Sequence, residues 1–409
     1  MSVPTDYSDV LTHINDNLPT LIRHQRSRKR RDPLIPLPFP YMVPTNDLID
    51  GFTFNHMYYW DTFFISLALV DTHYEEMIVG MTENLAHLFN LFGFIPNAST
   101  ATLLSRSQPP FFTRQIWLAY EVLKKKNDVN ADSFLAKMIK LAEMEHETVW
   151  LGAAQPHIRL VYMGLSRYYD ANAIDALAAA ESGWDHTPRC DANRWLEHLP
   201  VCLNSILYHR EIDLADAYAR LADEKKSQQW HQAAKMRAQT MQELMWDNNS
   251  KFFFDYDYKQ KHINPYPSLA GFYPLWAGLA TAEQAAAVVE QWLPRFEQAG
   301  GLVTTLTPLA GHQWAWPNGW APLQWLVASG LERYGYNEES TRLKSKWLDR
   351  CADDFRKTGK MWEKYLVVDG EQKVESGLYG QLPGFGWTFA VFLDFQRSLS
   401  HVKNDPQPV

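Results

Sequence analysis

Two carboxylates far apart in the chain have the surroundings of working groups. Asp185 lies in ESGWDHTPR (181–189), beside Trp184 and behind Ser182-Gly183, and Glu363 lies in WEKY (362–365). An aromatic wall that keeps water from a carboxyl disfavours its charged form, so an acid placed there holds its proton towards neutral pH. One protonated and one ionised carboxyl can protonate a leaving oxygen while activating a water across the same carbon, and this is how a glycosidic bond is broken. Asp185 is the expected acid and Glu363 the expected base.

Four further stretches combine aromatics, amides, charges and Gly or Pro in ways that helix packing does not require. YYWDTFF (58–64) sets Trp60 beside Asp61. GFIPNASTATLLSRSQPPFF (93–112) carries Asn97, Arg106 and Gln108 in a loop fixed by prolines. GHQWAWPNGWAPLQW (311–325) crowds Gln313, Trp314, Asn318 and Trp320 around Pro317 and Gly319, and GFGW (384–387) follows WEKY closely. Neutral sugars are held by aromatic faces under their C–H surfaces and by planar amide, carboxylate and guanidinium groups at their hydroxyls. These stretches supply that inventory repeatedly. Phe54, Tyr59, Trp184, Phe385 and Trp387, aromatic neighbours of the same stretches, complete the candidate binding set.

The elements that must position these residues read as helices. TAEQAAAVVEQWL has Thr281 and Gln284 in capping-box spacing, with Ala286, Val289 and Leu293 as an apolar stripe. NEESTRLKSKWLDRCADDF opens on Asn337 as a cap and sets Leu343, Trp347, Leu348, Cys351 and Phe355 on one face. Residues 133–149, 211–224, 227–246 and 322–334 read the same way. Residues 32–49 carry five prolines and are expected to be extended, and the basic run 26–31 is read as the solvated end of a first helix. Short hairpins are expected at 251–262 and at 361–374, the latter on an Asp369-Gly370 turn. Many helices with rare strands predict an all-α fold, and no linker divides residues 1–409, so one domain is expected.

Composition narrows the alternatives. Aromatics reach 14% with 16 Trp, which suits a ring-lined pocket. A net charge of −8 gives a nucleic-acid partner no support, and no apolar run is long enough for a membrane span. Three cysteines without metal or disulfide spacing, and no visible secretory signal, lead to the expectation of a cytoplasmic protein. Scattered histidines and the lack of nucleotide or nucleophile-elbow motifs predict no metal and no cofactor; the expected partner is a small saccharide.

YYWDTFF, IPNASTATLLSRSQPP, ESGWD, NGWAPLQW, EKY and GFGWT stand in the order and rough spacing of the trehalases, which the chain resembles over about residues 35–395. The resemblance implies an (α/α)6 barrel (a six-hairpin toroid with long loops at the active-site end) and hydrolysis with inversion. By the same resemblance Asp185 is the general acid and Glu363 the base. It makes Trp60, Asp61, Asn97, Arg106, Gln108, Gln313, Trp314, Asn318 and Trp320 sugar contacts. The chain departs from the family at Thr53, where a sugar-binding Arg is usual, and at Ala315, where QWD reads QWA. The region ahead of Asp185 is also shortened and lacks an Arg-Pro-Glu stretch, and the glycine run before GFGW is missing. Glycosyl-glycerates or longer α-glucans therefore remain alternative substrates, and a non-catalytic sugar binder is the alternative of another class.

Overall fold

The computed structural model describes residues 6–24, 33–46, 48–49, 52–153, 155, 158–192, 194–370, 373–377 and 379–404. Its helices come in chain order. They begin with α1 (Ser8–Asn17), α2 (Tyr59–Ser66), α3 (Glu76–Phe92), α4 (Phe112–Lys125) and α5 (Ala131–Glu145). A short α6 (Asp175–Glu181) precedes α7 (Val201–Arg220), α8 (Glu224–Met245), α9 (Tyr273–Ala277) and α10 (Ala282–Gln291). One-turn α11 (Leu293–Phe296), α12 (Ala321–Arg333), α13 (Asn337–Thr358) and α14 (Gly386–Asn404) complete the set.

Six of these helices touch in a closed ring. α2 packs on α4, α4 on α7, α7 on α9, α9 on α12, α12 on α14, and α14 back on α2. Each is joined to an outer helix next to it in the chain, α3, α5, α8, α10 and α13, while α1 covers α14 through Tyr7 on Phe392 and His13 on Phe389. This is an (α/α)6 barrel. The division follows from residue pattern. α2 reads YWDTFFIS and buries all eight residues, as an inner helix must. α13 buries Leu343, Trp347, Leu348 and Cys351 along one stripe, with the buried charge of Lys344 paired to Glu332. Burying a side chain the size of Trp347 contributes about 2–3 kcal/mol on area alone.

Local signals hold with some corrections. Thr281 and Gln284 form the capping box, but the buried stripe of α10 is Ala285, Val288 and Val289, and Ala286 faces solvent. Asn337 is the first residue of α13 rather than its cap. α1 ends at Asn17, well before the basic run 26–31, which lies outside the described residues. Residues 33–46 are free of helix, as their prolines demand.

The expected hairpins re-pair. In 251–262 the first strand, Phe252–Phe253, turns back onto Trp246–Asp247, and Asp255–Asp257 pairs with His262–Asn264. Strand Lys364–Leu366 does not use the Asp369-Gly370 turn; it pairs antiparallel with Asn318–Trp320. That pairing is possible because Gly319 has no side chain: a Cβ there would sit 2.5 Å from Val367 Cγ1. It also bolts the Gln313–Trp320 loop to the segment carrying Glu363.

Charges inside the ring are paired. Arg210 on α7 meets Glu145 of α5 at 2.9 Å, and Tyr59 of α2 donates to the same carboxylate at 3.1 Å. Removing one partner of a buried pair leaves the other charge uncompensated. Glu145→Leu should therefore lower stability by about 3–5 kcal/mol, measured as a fall in denaturation midpoint, while the conservative Glu145→Gln should lose less.

Candidate active site

Loops from one end of the ring converge on a cavity of about 780 Å³. Its walls include Phe54, Trp60, Asp61, Asn97, Arg106, Gln108, Asp185, Trp314, Trp320, Glu363, Phe385 and Trp387, all expected there from sequence. Four candidates are placed elsewhere. Tyr59 turns outward to Glu145 and Arg210. Asn318 is fully buried and ties two loops, donating to the carbonyls of Gln313 and Glu375 and accepting from Glu375 N–H. Trp184 and Gln313 stand directly behind the wall, where each orients a residue that does reach the cavity.

Asp185 shows how. Gly183 adopts φ +74° and lies so close to Trp60 that a Cβ would come within 2.7 Å of its ring. The glycine is thus a close-packing device rather than a flexible hinge. Trp184 stacks on Trp314 with centroids 5.6 Å apart, and Trp314 stacks on Trp320 at 3.8 Å. Arg189, held by Asp255, covers the other face of Trp184 at 4.5 Å. The aromatic that touches Asp185 is therefore Trp314, whose Nε1 donates to Oδ1 at 3.3 Å, while Gln313 Nε2 donates to Oδ2 at 2.7 Å. Burial pushes the Asp185 carboxyl above its ordinary value, with His186 and Lys364 opposing.

Glu363 is buried and differently partnered. Its Oε1 accepts from Tyr379 OH at 2.9 Å, and its Oε2 lies 3.2 Å from the Lys364 ammonium. Its own backbone is fixed: its N–H donates to Leu382 and its carbonyl accepts from Trp387 Nε1. Burial raises its pKa, and Lys364 and Tyr379 pull it back. Tyr379 stays a neutral phenol, raised by burial and by Glu363.

Asp61 is the third carboxyl of the cavity. Burial, then the negative charges of Glu363 and Asp185, push it up to about 8. It sits in the first turn of α2, where Gln108 caps the chain by accepting from Trp60 N–H at 3.1 Å. Asn97 braces this loop by donating to Ser107 O, and Arg106 is half-neutralised by Asp170 at 3.3 Å.

Sequence reasoning missed several lining residues. Tyr58, His186, Thr187 and His312 lay inside the quoted stretches and could have been found by proximity; Tyr379 carried no motif of its own. Leu103 also lay inside a quoted stretch, whereas the α6 residues Ala176, Leu177, Ala179 and Ala180, which form an apolar wall with it, gave no signal at all. Ala315 is fully buried behind the wall. Thr53 belongs to the strand Phe52–Thr53, and its side chain is outside the described residues. Away from the cavity Asp191, His198 and Asp257 approach one another, but the Arg194 guanidinium bridges both aspartates. It is an ion-pair network.

An (α/α)6 ring with two carboxyls, Asp185 half-buried and Glu363 buried, in one tryptophan-lined cavity has the make-up of a glycoside hydrolase. The Trehalase family model matches residues 4–176 and 170–400, and the chain belongs to that family. It is 31% identical to a periplasmic trehalase of Pseudomonas aeruginosa, over 96% of this chain and 77% of that protein. It is 32% identical to a periplasmic trehalase of Xanthomonas campestris, over 93% of this chain and 72% of that protein. Among solved structures, neutral trehalase from Saccharomyces cerevisiae superposes with a TM-score of 0.77 at 29% identity, covering 89% of this chain and 74% of that one. A mannosylglycerate hydrolase from Thermus thermophilus shares the fold at a TM-score of 0.69 and 19% identity, over 95% of this chain and 100% of that one.

These relatives overturn the cytoplasmic expectation, because the curated proteins matched are periplasmic. The cysteine argument failed for a physical reason. Cys190, Cys202 and Cys351 are all buried free thiols, so an odd count is as compatible with an oxidising compartment as with a reducing one. No helix among the described residues is long and apolar enough to cross a membrane.

The packing at Gly183 yields a direct test. Gly183→Ala should displace Trp60 and the following carboxyl, lowering kcat/KM about 100-fold with little change in secondary structure. Steady-state kinetics beside circular dichroism will show it; an unaltered kcat/KM would mean that Trp60 is not positioned by this contact.

Proposed function

We propose that the protein hydrolyses trehalose, or a similarly small α-glycoside, with inversion, using one catalytic domain that spans the chain. The observation that carries this reading is the unequal partnering of two carboxyls, half-buried Asp185 and buried Glu363, that line one cavity. Glu363 has an ammonium 3.2 Å away, whereas Asp185 is bonded by the neutral donors Gln313 and Trp314. A cation favours the ionised form, so the Glu363 carboxyl gives up its proton at lower pH and Asp185 keeps its own. Asp185 then protonates the glycosidic oxygen as the C–O bond breaks, and Glu363 takes a proton from the water that attacks the anomeric carbon. Trp60, Phe54, Phe385 and Trp387 line the cavity as apolar rings for the sugar. Asp61, uncharged below about 8, can donate to a hydroxyl as well as accept.

A cavity of about 780 Å³ accommodates a disaccharide, and relatives at 31–32% identity are named trehalases. A glycosyl-glycerate would need a free cation for its carboxylate. Arg106, the guanidinium at the wall, is already shared with Asp170.

Product analysis by NMR decides the reaction. Inversion releases one β- and one α-glucose from each trehalose before mutarotation, whereas two α-glucose molecules would mean retention and would sink the scheme. Asp185→Asn and Glu363→Gln should each lower kcat about 10²–10⁴-fold. The kcat/KM profile should be a bell. Its acid limb rises as Glu363 ionises; its alkaline limb falls as Asp185, and near pH 8 Asp61, lose their protons. Binding of trehalose in a calorimeter without any turnover would favour a sugar sensor instead.

A further inference from the structure

Lys364 is a cation bonded both to the base and to the group that holds the acid. Its Nζ lies 3.2 Å from Glu363 Oε2, 2.8 Å from Gln313 Oε1 and 3.5 Å from the carbonyl of Gly380. The rings of Trp320 and Tyr379 flank it at 5.2 and 4.9 Å. The side chain is fully buried and does not line the cavity, so it has no route to substrate. The Asn318–Trp320 pairing with Lys364–Leu366 places it there.

An ammonium can only donate. The Gln313 atom that faces it must therefore be the carbonyl oxygen, which turns the amide nitrogen towards Asp185 Oδ2 at 2.7 Å. The Gln313 carbonyl also accepts from Trp320 Nε1 and Asn318 Nδ2 through its backbone oxygen, so the residue is anchored at both ends. In a neutral carboxyl the carbonyl oxygen is the better acceptor, so the shorter of the two N–H bonds, 2.7 Å from Gln313 against 3.3 Å from Trp314, marks Oδ2 as the carbonyl. In the neutral form of Asp185 that leaves Oδ1, where the indole of Trp314 can donate to a hydroxyl that itself donates elsewhere.

We propose that Lys364 is a positioning residue of the reaction: through Gln313 it assigns the acid proton to Oδ1 of Asp185, and by direct contact it supports the ionised base. One buried cation thus sets both halves of the acid–base pair. In the step itself Lys364 keeps all its protons. The Oδ1 proton goes to the glycosidic oxygen, which receives the electron pair of the breaking C–O bond. The water oxygen bonds the anomeric carbon and its proton goes to Glu363, so glycoside and water become two sugars, and exchange with solvent resets both carboxyls.

Other charges face the same groups. Glu363 also meets Tyr379 from the following segment, Asp185 from the loop after α6 and Asp61 from α2. Asp185 also meets His186 beside it in the chain. Removing the Lys364 charge leaves only the Tyr379 hydroxyl to favour ionised Glu363, so the Glu363 pKa must rise, and the acid limb of the kcat/KM profile must move to higher pH.

The inference rests on the acid–base assignment above, and its test separates the two. Carboxyl titration by ¹³C NMR is read on the free protein, and the pH dependence of kcat/KM on trehalose. In Lys364→Met, Glu363 should titrate about 1–3 pH units higher. The acid limb should follow, with kcat at the original optimum down at least about tenfold and KM little changed; Lys364→Arg should restore the limb. Gln313→Glu, nearly isosteric, should lower kcat at similar KM, because its carboxylate can draw the Asp185 proton onto Oδ2. It should also move the alkaline limb up, since an added negative charge holds the Asp185 proton longer. A folded Lys364→Met with the original Glu363 titration and limb overturns the role of the cation. A Gln313→Glu with full kcat overturns the proton assignment, and it decides the matter if Lys364→Met does not fold. Loss of all turnover in the unaltered protein, with the titration shifts present, would fault the substrate and not the positioning.

Discussion

Three carboxyl groups share one water-poor aromatic cavity, and the rest of the structure is arranged around that cost. Glu363 and Asp185 raise the pKa of Asp61, Asp185 raises that of Glu363, and all three are pushed up by burial. Burial and mutual repulsion both work against an ionised base in such a cluster. A cation must be supplied, yet a cation exposed in the cavity would itself bind substrate oxygens and hydrate. Lys364 resolves this by approaching Glu363 from behind the wall, in a shell of Trp320, Tyr379 and Gln313.

That arrangement explains why the barrel carries its few strands where it does. The pairing of Asn318–Trp320 with Lys364–Leu366 joins the loop that holds the partners of Asp185 to the segment that carries Glu363. The tryptophan pile of Trp184, Trp314 and Trp320 then runs beneath both, and Arg189 closes it from outside. The ring of inner helices fixes the distance between the two loops because it is closed: a shift at one helix would have to propagate through every neighbour.

Much of this was legible in the chain. The alternation of apolar inner helices and striped outer ones is a periodicity signal, and long helices such as α13 declare it clearly. Arg106 and Asp185 could be singled out because charged residues in Pro- and Gly-flanked loops have few other uses, and Trp60, Asp61 and Glu363 because each sets a carboxyl beside aromatics. What failed were judgements about direction. Tyr59 and Trp60 are adjacent, yet successive helical residues point about 100° apart, so one reaches the cavity and the other Glu145. Trp184 stood next to the acid in sequence but faces away from it, and the true neighbours, Gln313 and Trp314, come from more than a hundred residues later. The Asp369-Gly370 signal was overridden because Lys364–Leu366 found a better partner in a strand opened by Gly319. Local propensity cannot see such long-range competition.

The departures from the family pattern acquire a physical meaning in this setting. Ala315 is buried behind the wall, where an unpaired carboxylate would be costly, so its small side chain leaves no orphaned charge. The shortened segment ahead of Asp185 becomes α6, whose Glu181 accepts from Ser107 and Tyr169 N–H groups and is paired with Arg159. The helix is thereby clamped to the Arg106 loop with Ala176, Leu177, Ala179 and Ala180 turned to the cavity. In the proposed scheme the leaving group lies beside the acid, and this apolar face leads directly into the acid's loop. A site that presents methyl groups cannot reject a ligand for lacking a hydroxyl, whereas a site of buried donors and acceptors can. In the proposed scheme selectivity would therefore reside in the Trp60–Asp61 and Arg106–Gln108 side of the cavity, where Arg106 is bonded to Asp170 and Gln108 to the Trp60 N–H.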